Sequence, residues 1–243
     1  MAEEHVGISV RGRDLATEIV GHMTFTELLL LDITGRAPAP GEVRVVDAVL
    51  VTLMEHGITP SSLITRLALD GAPESTQGAI AAGLLSVGSR FLGVIEDVAR
   101  LLQEVVASAG EGGSLAGAAR VRVEAELAAR RRIPGLGHNF LSEDPRPGTL
   151  LGIAREEGLD GPHAEALEQV RLALAEATGR PFLVNATGGV GAVLSDLDFE
   201  ADMIRGFALV ARCGGLVAHL ADERRNPIGR RIWAEARSIP TTE

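Results

Sequence analysis

The stretch from Phe199 to Ala221 is the most apolar in the chain, yet it contains Arg212 and His219. It reads as a buried helix, and on such a helix these two residues stand two turns apart on one face. A guanidinium in apolar surroundings is costly unless an anion meets it. The run therefore predicts either an anionic ligand for Arg212 or a buried Arg–Asp pair. His219, like His163, reads first as a packing or surface histidine.

The rest of the sequence is helical in the same way. Apolar positions from Leu15 to Leu31 predict one or two short helices, with Thr24 and Thr26 as candidate caps, after a loose lead-in over residues 1–12. Arg36-Ala-Pro-Ala-Pro-Gly41 is a break, and residues 42–56 follow as a mostly buried helix. Gly57 is its expected C-cap, which puts His56 in the last turn. Further helices are predicted from Thr59-Pro60 to about Leu69, over 78–85, from Val94 to about Ser108, from Leu115 to Arg130, over 148–157 and over 163–178. Residues 180–191 read as an extended segment running into a glycine-rich turn, and 224–233 as an exposed basic arm. The composition agrees with an all-α fold: Ala, Leu and Gly abound, while there is no Tyr, one Trp and six Phe.

Charge and cysteine content narrow the function. A net charge of −10 argues against a nucleic-acid partner but leaves room for small anions held by local arginines. Cys213 stands alone, so no internal disulfide framework exists, as expected in a reducing compartment. The acidic N-terminus lacks an apolar signal region, and no apolar run spans a membrane uninterrupted, so a cytoplasmic protein without a membrane partner is expected. No metal-ligand spacing, nucleotide-binding glycine fingerprint or serine-nucleophile elbow is present.

The chemistry concentrates in Arg131-Arg-Ile-Pro-Gly-Leu-Gly-His138-Asn-Phe-Leu-Ser-Glu-Asp-Pro-Arg146. Gly135 and Gly137 let the backbone take positive φ and bring its N–H groups close to a ligand. Pro134 and Pro145 stiffen the loop. His138 supplies an imidazole that titrates near neutrality, and Arg146 a fork for a carboxylate. Such a loop suits an anionic substrate that undergoes proton transfer.

Six stretches, in this order, resemble the citrate synthase superfamily: Glu55-His56-Gly57, Ala82–Phe91, Ile133–His138 with Asp144-Pro-Arg146, Val184-Asn185, Ala211-Arg212-x-x-Gly-x-x-x-His219, and Gly229-Arg230. Within it they look most like the citryl-CoA-cleaving branch, citryl-CoA lyase and the C-terminal domain of ATP-citrate lyase. The resemblance implies an all-α, two-domain fold acting as a homodimer or a larger homo-oligomer. Residues 1–92 and 189–243 would form a discontinuous large domain, and 93–188 a small CoA-binding domain that closes on it. It implies a coenzyme A thioester as substrate, with no tightly bound cofactor. Pro134, Gly135, Leu136 and Gly137 would meet the CoA. His138 would act on the substrate hydroxyl as acid and base, with His56 and position 187 completing the catalytic set. His56, Arg146, Arg212 and Asn185 would hold the carboxylates, and Arg230 would reach in from the partner subunit.

The departures from the family pattern are specific. Thr187 stands where the family places a catalytic Asp, and a hydroxyl does not serve as a general base on an acetyl-CoA methyl. Phe91 occupies the position of the synthase's enolate-stabilising His, as it does in the ATP-citrate lyase branch. Ser89 stands where that branch has Asp, Leu92 where it has Gly, and Ser142 where synthases often carry a CoA-phosphate arginine. The expected activity is cleavage of citryl-CoA or an analogue to an acyl-CoA and a 2-oxo acid. A condensing enzyme of altered specificity and a non-catalytic binder of acyl-CoA or carboxylates are the alternatives.

Overall fold

The computed structural model describes residues 7–55, 57–89, 91–110, 112–137 and 143–239. Among these the chain is built of helices, with one two-stranded hairpin, β1 (Ser9–Val10) against β2 (Arg13–Asp14), inside the segment expected to be a loose lead-in. A single π-type turn, Leu15–Ile19, capped by the Asp14 carboxylate, leads to α1 (Phe25–Thr34). Thr24 caps α1 reciprocally with Glu27, satisfying two backbone donors that the helix itself cannot.

The helices that follow are α2 (Pro40–Met54), α3 (Pro60–Gly71), α4 (Thr76–Leu85), α5 (Gly93–Ala109), α6 (Leu115–Ala128), α7 (Pro145–Glu156) and α8 (Pro162–Thr178). Four of them begin on proline, whose missing N–H costs nothing in a first turn. The chain closes with α9 (Ala186–Asp196), α10 (Ala201–Arg225) and α11 (Gly229–Ala236).

Three sequence expectations are corrected here. The glycine-rich stretch after Asn185 is the buried helix α9. Its glycines mark where neighbouring backbones press close: a Cβ at Gly191 would come within 2.6 Å of Val98 Cγ1, and one at Gly189 within 3.1 Å of Pro147 Cα. The basic arm is not loose but forms α11. And α2 ends at Met54 with Glu55 extended, short of the expected helix end at 55–57.

Two apolar cores flank α9. One joins α1, α2, α7, α9 and α10 through residues such as Val45, Val49, Leu150, Leu194, Ile204 and Phe207. The other joins α5, α6 and α8 through Leu102, Val105, Val123, Leu167 and Val170, with Ala192 of α9 among them. By length and composition α10 could cross a membrane, but half of its apolar window is buried and it packs on α2, α3, α4 and α5 as a core helix.

Candidate functional site

The loop 134–137 is tied to the start of α9 by backbone. Gly137 N–H donates to Leu183 O at 2.8 Å, Asn185 N–H to Gly135 O at 3.0 Å, and Leu136 bridges Val184 in antiparallel fashion. Both loop glycines have φ of +80°, as their type predicts. The approach is close enough that a Cβ at Gly188 would fall 2.6 Å from Gly135 O.

Asn185 is the N-cap of α9, and its side chain locks this junction. Its Oδ1 accepts from Gly188 N–H at 3.2 Å and from the Thr187 hydroxyl at 2.6 Å, while its Nδ2 donates to Gly137 O at 2.8 Å. Thr187 thus spends its proton on Asn185, and only its oxygen lone pairs remain for a ligand.

Asp144 brings Arg146 to the same place. Its carboxylate, fully buried, accepts from Arg146 Nε at 2.8 Å and Nη2 at 2.9 Å, from Arg146 N–H at 3.1 Å, and from Ala186 N–H at 3.0 Å. Burial alone would raise its pKa, but the guanidinium and the two backbone donors win and hold it below the ordinary aspartate value. Loop 134–137, Arg146, Asn185 and Thr187 therefore form one cluster around the N-terminus of α9. His138 and His56 lie outside the described residues.

Arg212 and His219 are both 8% exposed on α10, as the apolar run predicts. The alternative of a buried Arg–Asp pair does not materialise: among the described residues Arg212 forms no ion pair, and its buried Nε has no hydrogen-bond partner. Burial pulls its pKa down, against the opposing charge of Glu55. An unmet guanidinium donor in a low-dielectric setting carries an energetic cost that an anion would relieve. Arg230, at the start of α11, is exposed and pairs with Asp70 at 2.8 Å, away from the Asn185 cluster's hydrogen bonds.

Sequence reasoning missed the polar cluster beneath Arg212. Buried Arg66 of α3 reaches Glu223 through Nη1 at 2.7 Å and Asp222 through Nη2 at 2.6 Å. It also faces His219 Nδ1, 2.9 Å from Nη2 and 3.2 Å from Nε. Burial would raise the Glu223 pKa, but Arg66 and the N–H groups of Gly229 and Ile228 lower it on balance. Glu223 lies four residues beyond His219, on the same helix face, which was the signal available for it.

A concavity of about 620 Å3 opens elsewhere, between α5 and α6, lined among others by Glu104, Val105, Ser108, Ser114, Gly117 and Val121. None of the expected site residues lines it, so the candidate site at α9 and α10 rests on its chemistry and not on cavity size.

A chain built almost wholly of helices, with a glycine loop clamped to an asparagine-capped helix and, among the described residues, an arginine without an ion pair on its apolar core helix, has the build of a citrate synthase-type domain. The family model for the C-terminal domain of citrate synthase matches residues 8–233, and the chain belongs to the citrate synthase family. Among solved structures it is similar to citryl-CoA lyase from Hydrogenobacter thermophilus, at 31% identity and a TM-score of 0.84, over 96% of this chain and 89% of that one. ATP citrate lyase from Methanothrix soehngenii, solved with citrate and coenzyme A, shares the fold at 22% identity and a TM-score of 0.73, over 88% of this chain and 36% of that one. Among curated proteins, a probable ATP-citrate synthase from Dictyostelium discoideum is 27% identical over 74% of this chain, and citrate synthase from Acidithiobacillus ferridurans 26% identical over 79%. The chain spans 30% and 50% of the lengths of those two relatives.

Proposed function

We propose that this chain is a carbon–carbon lyase of the citryl-CoA type, acting on citryl-CoA or a related 3-hydroxy-3-carboxyacyl-CoA. The observation that carries the reading is the likeness to a citryl-CoA lyase along nearly the whole of both chains. In this reading His138 takes the proton of the substrate hydroxyl. The C–O bond becomes a carbonyl while the adjacent C–C bond breaks, leaving its electron pair on the thioester's α-carbon as an enolate. Arg212, Arg146 and His56 hold the carboxylates of the departing 2-oxo acid, and the loop Pro134–Gly137, with the N–H groups of Gly135 and Leu136, lines the path of the CoA.

The enolate then needs a proton. The Thr187 oxygen, turned into a pure acceptor by its bond to Asn185, suits a bound water that supplies it. The same bond disfavours the condensing direction, because a hydroxyl engaged as a donor cannot abstract a methyl proton.

The reading includes a homodimer with Arg230 serving the partner's site. It is supported by exposed apolar side chains on adjoining helices: Leu67 of α3, Leu85 of α4, Val217 of α10 and Trp233 of α11. The test is release of oxaloacetate from (3S)-citryl-CoA by the purified protein, compared with His138→Ala. Turnover that His138→Ala abolishes, with CoA esters still bound, supports the proposal. Turnover unchanged by that substitution sinks it.

A further inference from the structure

Between Arg212 and His219 the core helix is notched. Gly214 and Gly215 stand where the end of α2 comes down on α10, and a Cβ at Gly215 would overlap the Met54 carbonyl oxygen. The notch lets Met54 and Glu55 settle against α10, and His219 Nε2 lies 3.8 Å from Glu55 Oε1. On its other edge the imidazole meets Arg66. A guanidinium has only donors, so Nδ1 must be the acceptor, and the ring's one proton sits on Nε2. That N–H is buried and has no hydrogen-bond partner among the described residues.

Arg66 is itself immobilised by Glu223 and Asp222. The second oxygen of Glu223 accepts from Ile228 N–H at 2.9 Å and Gly229 N–H at 2.7 Å, fixing the first turn of α11, which carries Arg230. Glu55 Oε1 accepts from Gly57 N–H at 2.6 Å, so its carboxylate closes the chain segment on either side of position 56.

We propose that Arg66 and His219 are a positioning pair: Arg66 holds the imidazole as its Nε2–H tautomer, and that N–H steadies Glu55 and with it the Glu55–Gly57 segment containing His56. This rests on the reading of His56 as a substrate contact. The 3.8 Å gap exceeds a hydrogen bond by about 0.6 Å, a distance that a rotation of the exposed Glu55 carboxylate covers. His219 acts through Glu55 and meets no substrate atom. The charged groups acting on the ring are Glu55, Arg66, Asp222 and Arg212. Burial lowers its pKa, Glu55 and Asp222 oppose, Arg66 and Arg212 assist, and the net shift is downward. The ring therefore takes up a proton at lower pH than an ordinary histidine does.

The experiment uses the full-length chain with isotope-labelled histidine, read by nitrogen-resolved NMR, for wild type, His219→Leu and His219→Gln. Glutamine places an amide N–H near the Nε2 position, and leucine places none. The expected wild-type signal for His219 is a single Nε2–H tautomer at about pH 8, where an ordinary histidine is also neutral. The His56 resonances should move in His219→Leu and return towards wild type in His219→Gln. Oxaloacetate release should fall about tenfold in the leucine variant, an amount set by one hydrogen bond, and recover in the glutamine variant. An Nδ1–H tautomer, or unmoved His56 resonances in the leucine variant, would overturn the proposal. If wild type releases no oxaloacetate, the lyase reading fails, while the NMR arm still decides the positioning role.

Discussion

Gly214 and Gly215 are neighbours on α10 with opposite surroundings. A Cβ added at Gly214 would touch only the Met54 side chain, at 3.9 Å, an ordinary contact. One added at Gly215 would overlap the Met54 carbonyl oxygen and lie 3.1 Å from the carbonyl carbon. The overlap with the oxygen is the tighter of the two, so relief requires a shift of at least about 1 Å. The obstacle is backbone and cannot rotate away. Alanine is favoured over glycine in a helix interior by roughly 0.5–1 kcal/mol, and Gly214→Ala should stabilise by about that. Gly215→Ala gains the same propensity but meets overpacking of about 1–3 kcal/mol, for a net loss of about 1–2 kcal/mol. At about 2–4 °C per kcal/mol for a chain of this size, the two melting temperatures should move in opposite directions and separate by roughly 4 °C or more. Thermal melts of both variants, checked by urea midpoints, measure this. Equal shifts of the same sign would refute the close seating of α2 on α10, and with it the placement of Glu55 over His219.

Asp144 predicts a second, pH-dependent effect. Its folded pKa lies below the unfolded value, so its stabilisation is present above the unfolded pKa and is lost as pH falls through the folded one. Asp144→Asn should cost roughly 2–3 kcal/mol at pH 7, and the gap to wild type in urea titrations should close below about pH 4; a constant gap would contradict the ion pair with Arg146. Thr187→Asp would set a carboxylate against Asn185 Oδ1, which already accepts from Gly188 N–H. It should lower both the melting temperature and citryl-CoA cleavage, and a rise in cleavage would show that the family base is merely missing here. Gly135→Ala combines a φ of +80° with a Cβ 2.9 Å from both Gly188 Cα and Val98 Cγ2. It should destabilise by about 2 kcal/mol or more and weaken CoA-ester binding measured by calorimetry.

Where an element buries an apolar stripe, it was legible from its periodicity. Helix α5 was placed to within a residue or so because Val98, Leu101, Leu102 and Val105 recur at helical spacing. Helix α9 was not, because it is buried nearly all round and its closest contacts run through Gly188, Gly189 and Gly191, residues that signal a turn by propensity and are selected here by contact distance. The polar face of α3 was hidden for a related reason. Ser61, Ser62, Thr65 and Arg66 are buried against α4 and α10, and apolar patterning gives such a stripe no weight.

The site follows the same division. Single residues with unusual chemistry stood out in the sequence: the glycines before His138, Arg146 in its Asp-Pro-Arg, and Arg212 in an apolar run. What they bind to within the protein did not, because partners such as Asp144 with Ala186 N–H, or Arg66 with His219, are far apart in sequence and meet only when helices cross. Arg212 shows why the distinction matters. In sequence it admitted two readings, an internal ion pair or an external anion. The fold assigns the buried pair to Arg66 and Glu223 instead, leaving the Arg212 Nε unmet. A buried donor left without a partner costs about 1–3 kcal/mol in the folded chain, and a bound carboxylate recovers that cost. Arg66 with its two acidic partners is thus the structural arginine of this core, and Arg212 is the one that the proposed lyase reading gives to a substrate carboxylate.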